Sequence, residues 1–219
     1  KNTEPIKEKQ NKSNKKIYVL IILLGALTVF VISFAIGYYR LSKKGGNTAE
    51  NNKIKKEYIH HYNECVQNFN NIKENAENGI KLGDKLVSLT GSVWSDAIFK
   101  QPSLDTIEYT YKDDGWQSYS QALNNMYADE TVKSTVTSLT NIKNEVTKKF
   151  NDIQDVPDEL NDVYISAQVF VSAFNDIVDF SVKASGSLST YATSYQTKKS
   201  AYTQALSKFT ANIPKEMEE

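Results

Sequence analysis

The sequence predicts an all-α protein with one N-terminal transmembrane helix and a long, coiled-coil-like, antiparallel three-helix bundle after it. Three observations predict this fold class. An uncharged run of 23 residues lies near the N-terminus, and a heptad-like apolar repeat follows it. In addition, only nine glycines and four prolines occur among 219 residues. So few turn-forming residues favour long helices over a turn-rich β fold.

The uncharged run, residues 17–39, is long enough to cross a membrane, since 23 helical residues span about 34 Å. Tyr18 lies at one end of it and Tyr38 and Tyr39 at the other, where interfacial tyrosines are expected. A cleaved signal peptide has a shorter apolar stretch. A lipoprotein needs a cysteine directly after the run, whereas the single cysteine is Cys65. We therefore predict an uncleaved transmembrane helix.

Charge divides the chain into two blocks. Residues 1–44 contain nine basic and two acidic residues, which gives a net charge of +7. Residues 45–219 contain seventeen basic and twenty-four acidic residues, which gives a net charge of −7. The short basic tail favours a cytoplasmic N-terminus. The predicted organisation is a basic cytoplasmic tail (1–16), the transmembrane helix (17–39), a juxtamembrane linker (40–49), an extracytoplasmic bundle (50–214) and an acidic tail (215–219). A bundle of this charge is not expected to bind nucleic acid.

The first bundle helix is predicted from about residue 50 to 100. Its basis is a set of positions spaced alternately by four and three residues, which is the pattern of a helix that buries one face. These positions are Tyr58, Tyr62, Cys65, Phe69, Ile72, Ala76, Gly79, Gly83, Leu86, Thr90, Val93 and Ala97.

The rest of the bundle is predicted as two more helices. Pro102 and the Asp113-Asp114-Gly115 turn precede a helix from about 115 to 154, whose apolar register slips near 128–131. Pro157 begins a third helix that ends at Pro214. A break at Gly186 would instead give a fourth helix and a more compact bundle. A short extended piece at 106–111 fits the pattern, but no sheet is predicted.

Three helices of similar length would form an antiparallel rod of about 75–80 Å. The 154–158 turn would then be proximal to the membrane, and the 100–115 loop and the C-terminus would be distal. Gly79, Gly83 and Gly186 would share one height. We interpret them as a waist where backbones pack closely, or as a hinge.

No motif predicts catalysis. Glu57, His61 and Cys65 share a helix face, but a metal site needs further ligands and no other histidine follows them. There is no G-x-S-x-G motif and no phosphate-binding glycine loop. The sequence therefore predicts a protein that is not an enzyme and has no metal or cofactor. Scarce arginine and abundant asparagine indicate a bacterial, low-GC genome.

The candidate partner-binding residues are aromatic and lie at the predicted distal tip. They are Trp94, Phe99, Tyr109, Tyr111, Trp116 and Tyr119. The alternative is that they form a cap closing the end of the bundle. We predict a single-pass, membrane-anchored, non-catalytic interaction or spacer protein, in contact with the lipid bilayer and with a protein partner or further copies of itself. A sensor or receptor input module is the alternative function.

Overall fold

The structure, a computed structural model, describes residues 48–218. The predicted basic tail, the transmembrane helix and nearly all of the linker lie outside these residues. No helix in residues 48–218 is both long and apolar enough to cross a membrane.

The all-α prediction is confirmed, since most of the described chain is helical. Residues 48–218 form six α-helices, one 3₁₀ turn and two strands of two residues each. In chain order they are α1 (Thr48–Phe99), α2 (Ile107–Thr110), β1 (Tyr111–Lys112), β2 (Gly115–Trp116), α3 (Tyr119–Ala128), α4 (Glu130–Asn151), the 3₁₀ turn (Asp158–Leu160), α5 (Asn161–Ser181) and α6 (Leu188–Asn212).

The chain divides into two units between Tyr58 and Ile59, and the structure describes residues 48–58 of the first and 59–218 of the second. The described part of the first unit is helical, and it carries an exposed ion pair of 3.8 Å between Lys53 Nζ and Glu57 Oε1. The second unit contains the hydrophobic core and all the features discussed below.

The α1 prediction is correct in extent and in register. From Tyr62 to Ala97, every position of the predicted apolar repeat is buried. Among these positions Phe69 and Ile72 are completely buried, and Phe69 meets Phe209 of α6 edge to face at 6.0 Å. The repeat identifies the core face because it places one residue per turn on the same side of the helix.

The predicted second helix is two helices, α3 and α4. Ser118 and Gln121 form a capping box that begins α3. The Asp129 carboxylate accepts hydrogen bonds from the main-chain N–H of Thr131 (2.9 Å) and Val132 (3.1 Å), and this cap begins α4. The break at Asp129 lies where the apolar register slips. A small antiparallel hairpin, β1–β2, precedes α3, although no sheet was predicted.

The prediction of one continuous third helix is wrong. After α5 the chain turns at 182–187, where Gly186 has a φ of +84°, a conformation that glycine adopts readily. Ser187 and Thr190 then cap the start of α6. The chain reverses direction at this turn. The sign of the reversal is a hydrogen bond of 3.3 Å from the Asn212 side chain, at the end of α6, to the Asp162 carbonyl at the start of α5. The chain therefore breaks at Gly186, as the alternative to one continuous third helix expects.

The C-terminal segment lies against the N-terminal part of α1 in the second unit, not beside the 100–115 loop as predicted. The Asn63 side chain accepts from the Met217 N–H (2.7 Å) and donates to the Met217 carbonyl (3.0 Å). Gln67 donates to the Glu216 carboxylate (3.2 Å). The C-terminal segment lies here because the chain reverses at Gly186 and α6 runs antiparallel to α5.

Candidate partner-binding surface

The segment between α1 and α3, residues 100–118, is fixed to both helices. The Asp96 carboxylate of α1 accepts from the Thr106 hydroxyl (2.6 Å) and the Ser103 N–H (3.2 Å). On the other side, Asn125 of α3 donates to the Tyr109 carbonyl (3.2 Å). Bonds to both neighbours hold the segment in one geometry, which reduces the entropy lost when a surface binds a partner.

The hairpin within this segment turns at Asp113 and Asp114, whose φ angles are +53° and +60°. Positive φ at both central residues is what a type I′ hairpin turn requires. Next to the turn, the rings of Tyr111 and Trp116 meet edge to face at 5.5 Å across the two strands. The hairpin therefore presents two carboxylates beside two aromatic rings.

Two of the six predicted binding residues are core residues. Trp94 is 3% exposed and lies between Tyr119 and Tyr191, with both ring centroids at 5.8 Å. Tyr109 is also buried, and burial followed by the neighbouring Glu108 raises the pKa of its phenol to about 12. These two side chains close the end of the core, as the cap alternative expects for them.

The other four predicted residues are exposed, and the structure adds three aliphatic ones. Leu104 is 94% exposed and Phe99 is 64% exposed. We call the set the tip surface; its members are Ile98, Phe99, Leu104, Ile107, Tyr111, Trp116 and Tyr119. The aliphatic members are absent from the predicted set because only aromatic side chains indicated a binding surface in the sequence. Leu104 and Ile107 lie in the same short segment and could have been counted with them.

The three glycines of the predicted waist have two different roles. Gly79 and Gly83 lie on the buried face of α1, where α1 packs closely against α4 and α5. A Cβ at Gly83 would lie 3.2 Å from the Ser181 hydroxyl oxygen. Gly186, by contrast, lies in the turn between α5 and α6. Close packing therefore describes the first two glycines, while the third reverses the chain.

Replacing Gly79 with alanine should lower the free energy of unfolding by about 1–2 kcal/mol. The new Cβ would lie 2.8 Å from Phe174 Cζ and 3.1 Å from Ile142 Cγ2, and Phe174 is completely buried. Gly91 is the matched control, because a Cβ there has nothing within 4 Å. Gly91→Ala should stabilise the helix by about 0.5–1 kcal/mol. Urea denaturation measures both, and equal effects would contradict the close-packing interpretation.

The histidine and cysteine side chains take structural positions. His61 Nε2 lies 2.8 Å from the Asp155 carbonyl oxygen, so this nitrogen carries the proton and donates. His60 Nε2 lies 3.3 Å from the Glu64 carboxylate. Burial, and secondly Glu64, raises the pKa of the Cys65 thiol, which keeps it protonated. Within the described residues, no three His, Cys, Asp or Glu side chains are grouped so as to hold a metal ion.

A polar cluster joins α1 to α6. Lys199 Nζ lies 2.6 Å from both oxygens of the Asp84 carboxylate, and the Tyr195 hydroxyl donates to the same carboxylate. Burial, then Asp84, raises the pKa of Tyr195, so its phenol remains a donor at neutral pH. A protonated phenol does not serve as a general base. The cluster therefore acts as a polar contact that holds α1 and α6 together.

The chain matches none of the known family models, curated proteins or solved structures with which it was compared. Functional inference therefore depends on the residues themselves. The most distinctive feature of the described surface is the tip surface, which combines fixed backbone with exposed apolar side chains.

Proposed function

We propose that the protein is a single-pass, membrane-anchored, non-catalytic helical bundle that binds another protein through the tip surface. It acts as an interaction or spacer component at the cell surface or in a membrane complex, with its N-terminus cytoplasmic and its bundle extracytoplasmic. The membrane part of the proposal is supported by the uncharged run at 17–39 and its flanking basic residues.

One observation carries the interaction part. Nine large hydrophobic side chains are exposed in the described residues, and seven of them lie between Ile98 and Tyr119. Scattered exposed apolar residues are normal, but a concentration of them marks an interaction site. The remaining two, Ile165 and Val169, lie on α5 and supply matched controls.

The spacer part is supported by the length of α1. Within the second unit, α1 runs from Ile59 to Phe99, which corresponds to about 60 Å at 1.5 Å per residue. A helix of this length, with a buried face along it, places the tip surface well away from residue 59.

Serine at both Phe99 and Leu104 should reduce recovery of the protein partner at least tenfold. Removing exposed apolar anchors lowers affinity by about 2–4 kcal/mol when they lie at the centre of an interface. The measurement is cross-linking of the full chain in its native membranes, followed by quantitative mass spectrometry. Circular dichroism should be unchanged, because neither side chain belongs to the buried core.

The control is serine at both Ile165 and Val169, which removes a similar apolar area from α5. This variant should retain wild-type recovery. Equal recovery from the tip variant and the control would contradict the proposed function.

A further inference from the structure

The charge around the tip surface is predominantly acidic. Between residues 96 and 119 there are five acidic side chains and two basic ones, a net charge of −3. The basic ones are Lys100 and Lys112, and the acidic ones are Asp96, Asp105, Glu108, Asp113 and Asp114. The exposed apolar residues of the tip surface are therefore interspersed with carboxylates along the chain.

Three of these carboxylates are exposed and available to a partner: Asp105, Asp113 and Asp114. Glu108 is also exposed, but its carboxylate accepts a hydrogen bond from the Tyr109 phenol. Asp96 is engaged by Ser103 and Thr106. The lysine–carboxylate ion pairs found within residues 48–218 involve other residues, in or directly after the helices α1, α4, α5 and α6. The negative charge of the tip surface is therefore not neutralised by ion pairs in the described chain.

The negative charge indicates which of three partners fits the tip surface best: a second copy of the chain, a lipid bilayer or a different protein. A second copy docked through the same surface would oppose −3 with −3, and like charges across an interface are unfavourable. A bilayer rich in anionic lipid would also repel the surface. A protein with an apolar centre and a lysine- or arginine-rich rim is complementary in both respects.

Resting on the proposed function, we infer that the partner of the tip surface is a protein whose docking face is apolar at its centre and basic at its rim. The carboxylates of Asp113 and Asp114 face that rim, and the Tyr111–Trp116 pair beside them meets the apolar centre. Rim charges mainly set the association rate and its dependence on salt.

The test places the photo-cross-linking amino acid p-benzoylphenylalanine at position 104 of the full chain, and at position 165 as the control. Cross-linked peptides are identified by mass spectrometry. The charge variant is Asp113→Asn with Asp114→Asn, which removes two charges but keeps the turn, because asparagine accepts positive φ. Its matched control is Glu74→Gln with Asp176→Asn, two exposed acids outside the tip surface.

We expect position 104, and not position 165, to capture a protein through a peptide of net positive charge. The charge variant should reduce capture roughly fivefold, and raising NaCl from about 0.05 M to about 0.5 M should do the same. The Glu74 and Asp176 control should capture normally.

The other outcomes separate the two proposals. Capture at position 104 that is insensitive to both the charge variant and salt would overturn the basic partner and leave the interaction function standing. Capture of a second copy of this chain, or of lipid, would also overturn it. No capture at position 104 above that at position 165 would overturn the proposed function itself.

Discussion

Above pH 10, the bundle should lose at least about 2–3 kcal/mol of its free energy of unfolding with each further pH unit. The two most deeply buried of the tyrosines concerned, Tyr191 and Tyr202, are 1% and 3% exposed and account for this amount. Burial raises the pKa of both phenols well above the usual value of 10. Tyr127 adds to the effect on Tyr191, and the carboxylates of Glu77 and Asp84 add to that on Tyr202.

The direction follows from counting protons. In the unfolded chain both phenols ionise near pH 10, whereas in the folded bundle they stay protonated to higher pH. These two phenols alone let the folded state bind up to two more protons than the unfolded chain, each worth about 1.4 kcal/mol per pH unit. Burial also raises the pKa of Tyr109 and Tyr195, whose phenols add to the loss. Their contribution is complete below pH 10 and is lost as the pH rises toward the raised pKa values. Urea denaturation of the full chain, followed by circular dichroism at about pH 8, 10 and 11, measures the loss.

Tyr202→Phe is the control for this prediction. The Tyr202 hydroxyl is buried without a hydrogen-bond partner among the described residues, so its removal should stabilise the bundle by about 1 kcal/mol at neutral pH. Above pH 10 the variant should lose about 1.4 kcal/mol less per pH unit than the wild type. An unchanged slope in the variant, or a pH-independent wild type, would contradict the assignment.

The sequence predicted α1 well because its pattern has one explanation. Positions spaced by four and three residues can share a face only in a helix, and Phe69, Ile72 and Ala76 are indeed completely buried. The caps were partly readable too. Ser118-x-x-Gln121 matches a capping box, and it would have separated α3 from the preceding segment.

The reversal at Gly186 was harder to predict. The stretch around it is rich in serine, threonine and alanine, and small residues are compatible with a helix packed closely or with a turn. Long-range packing decides between a helix and a turn at this point. The α6 helix packs antiparallel to α5 because Tyr202 and Phe209 contact Phe170, and Phe209 also contacts Phe69. Such contacts join residues far apart in sequence, and no local pattern records them.

For the tip surface, too, one part could be predicted from the sequence and another part could not. Composition located it, since both tryptophans and several tyrosines fall in one short segment. It could not say which rings face inward, because Trp94 and Tyr119 are both aromatic and stack on each other, yet one is buried and the other half exposed. Sorting them needs the path of residues 100–118, which the Asp96 and Asn125 hydrogen bonds determine.

Phe170→Ala should lower the free energy of unfolding by about 3–5 kcal/mol. Phe170 is completely buried on α5, and its ring stacks on Phe209 at 5.0 Å and contacts Tyr202 at 5.5 Å. Phe209 in turn meets Phe69 of α1. Truncation therefore leaves a cavity where α1, α5 and α6 converge, and the helices cannot collapse into it without losing the other ring contacts.

The neighbouring residue supplies the control. Val169 is 55% exposed on the same helix, so Val169→Ala should change stability by no more than about 0.5 kcal/mol. Phe170→Leu, which retains most of the volume, should fall between the two. Urea denaturation of the full chain measures all three, with equal slopes as the sign that the unfolded state is unchanged. A loss below about 1 kcal/mol for Phe170→Ala would mean that α6 does not return along α5, because a core including that return cannot tolerate the cavity.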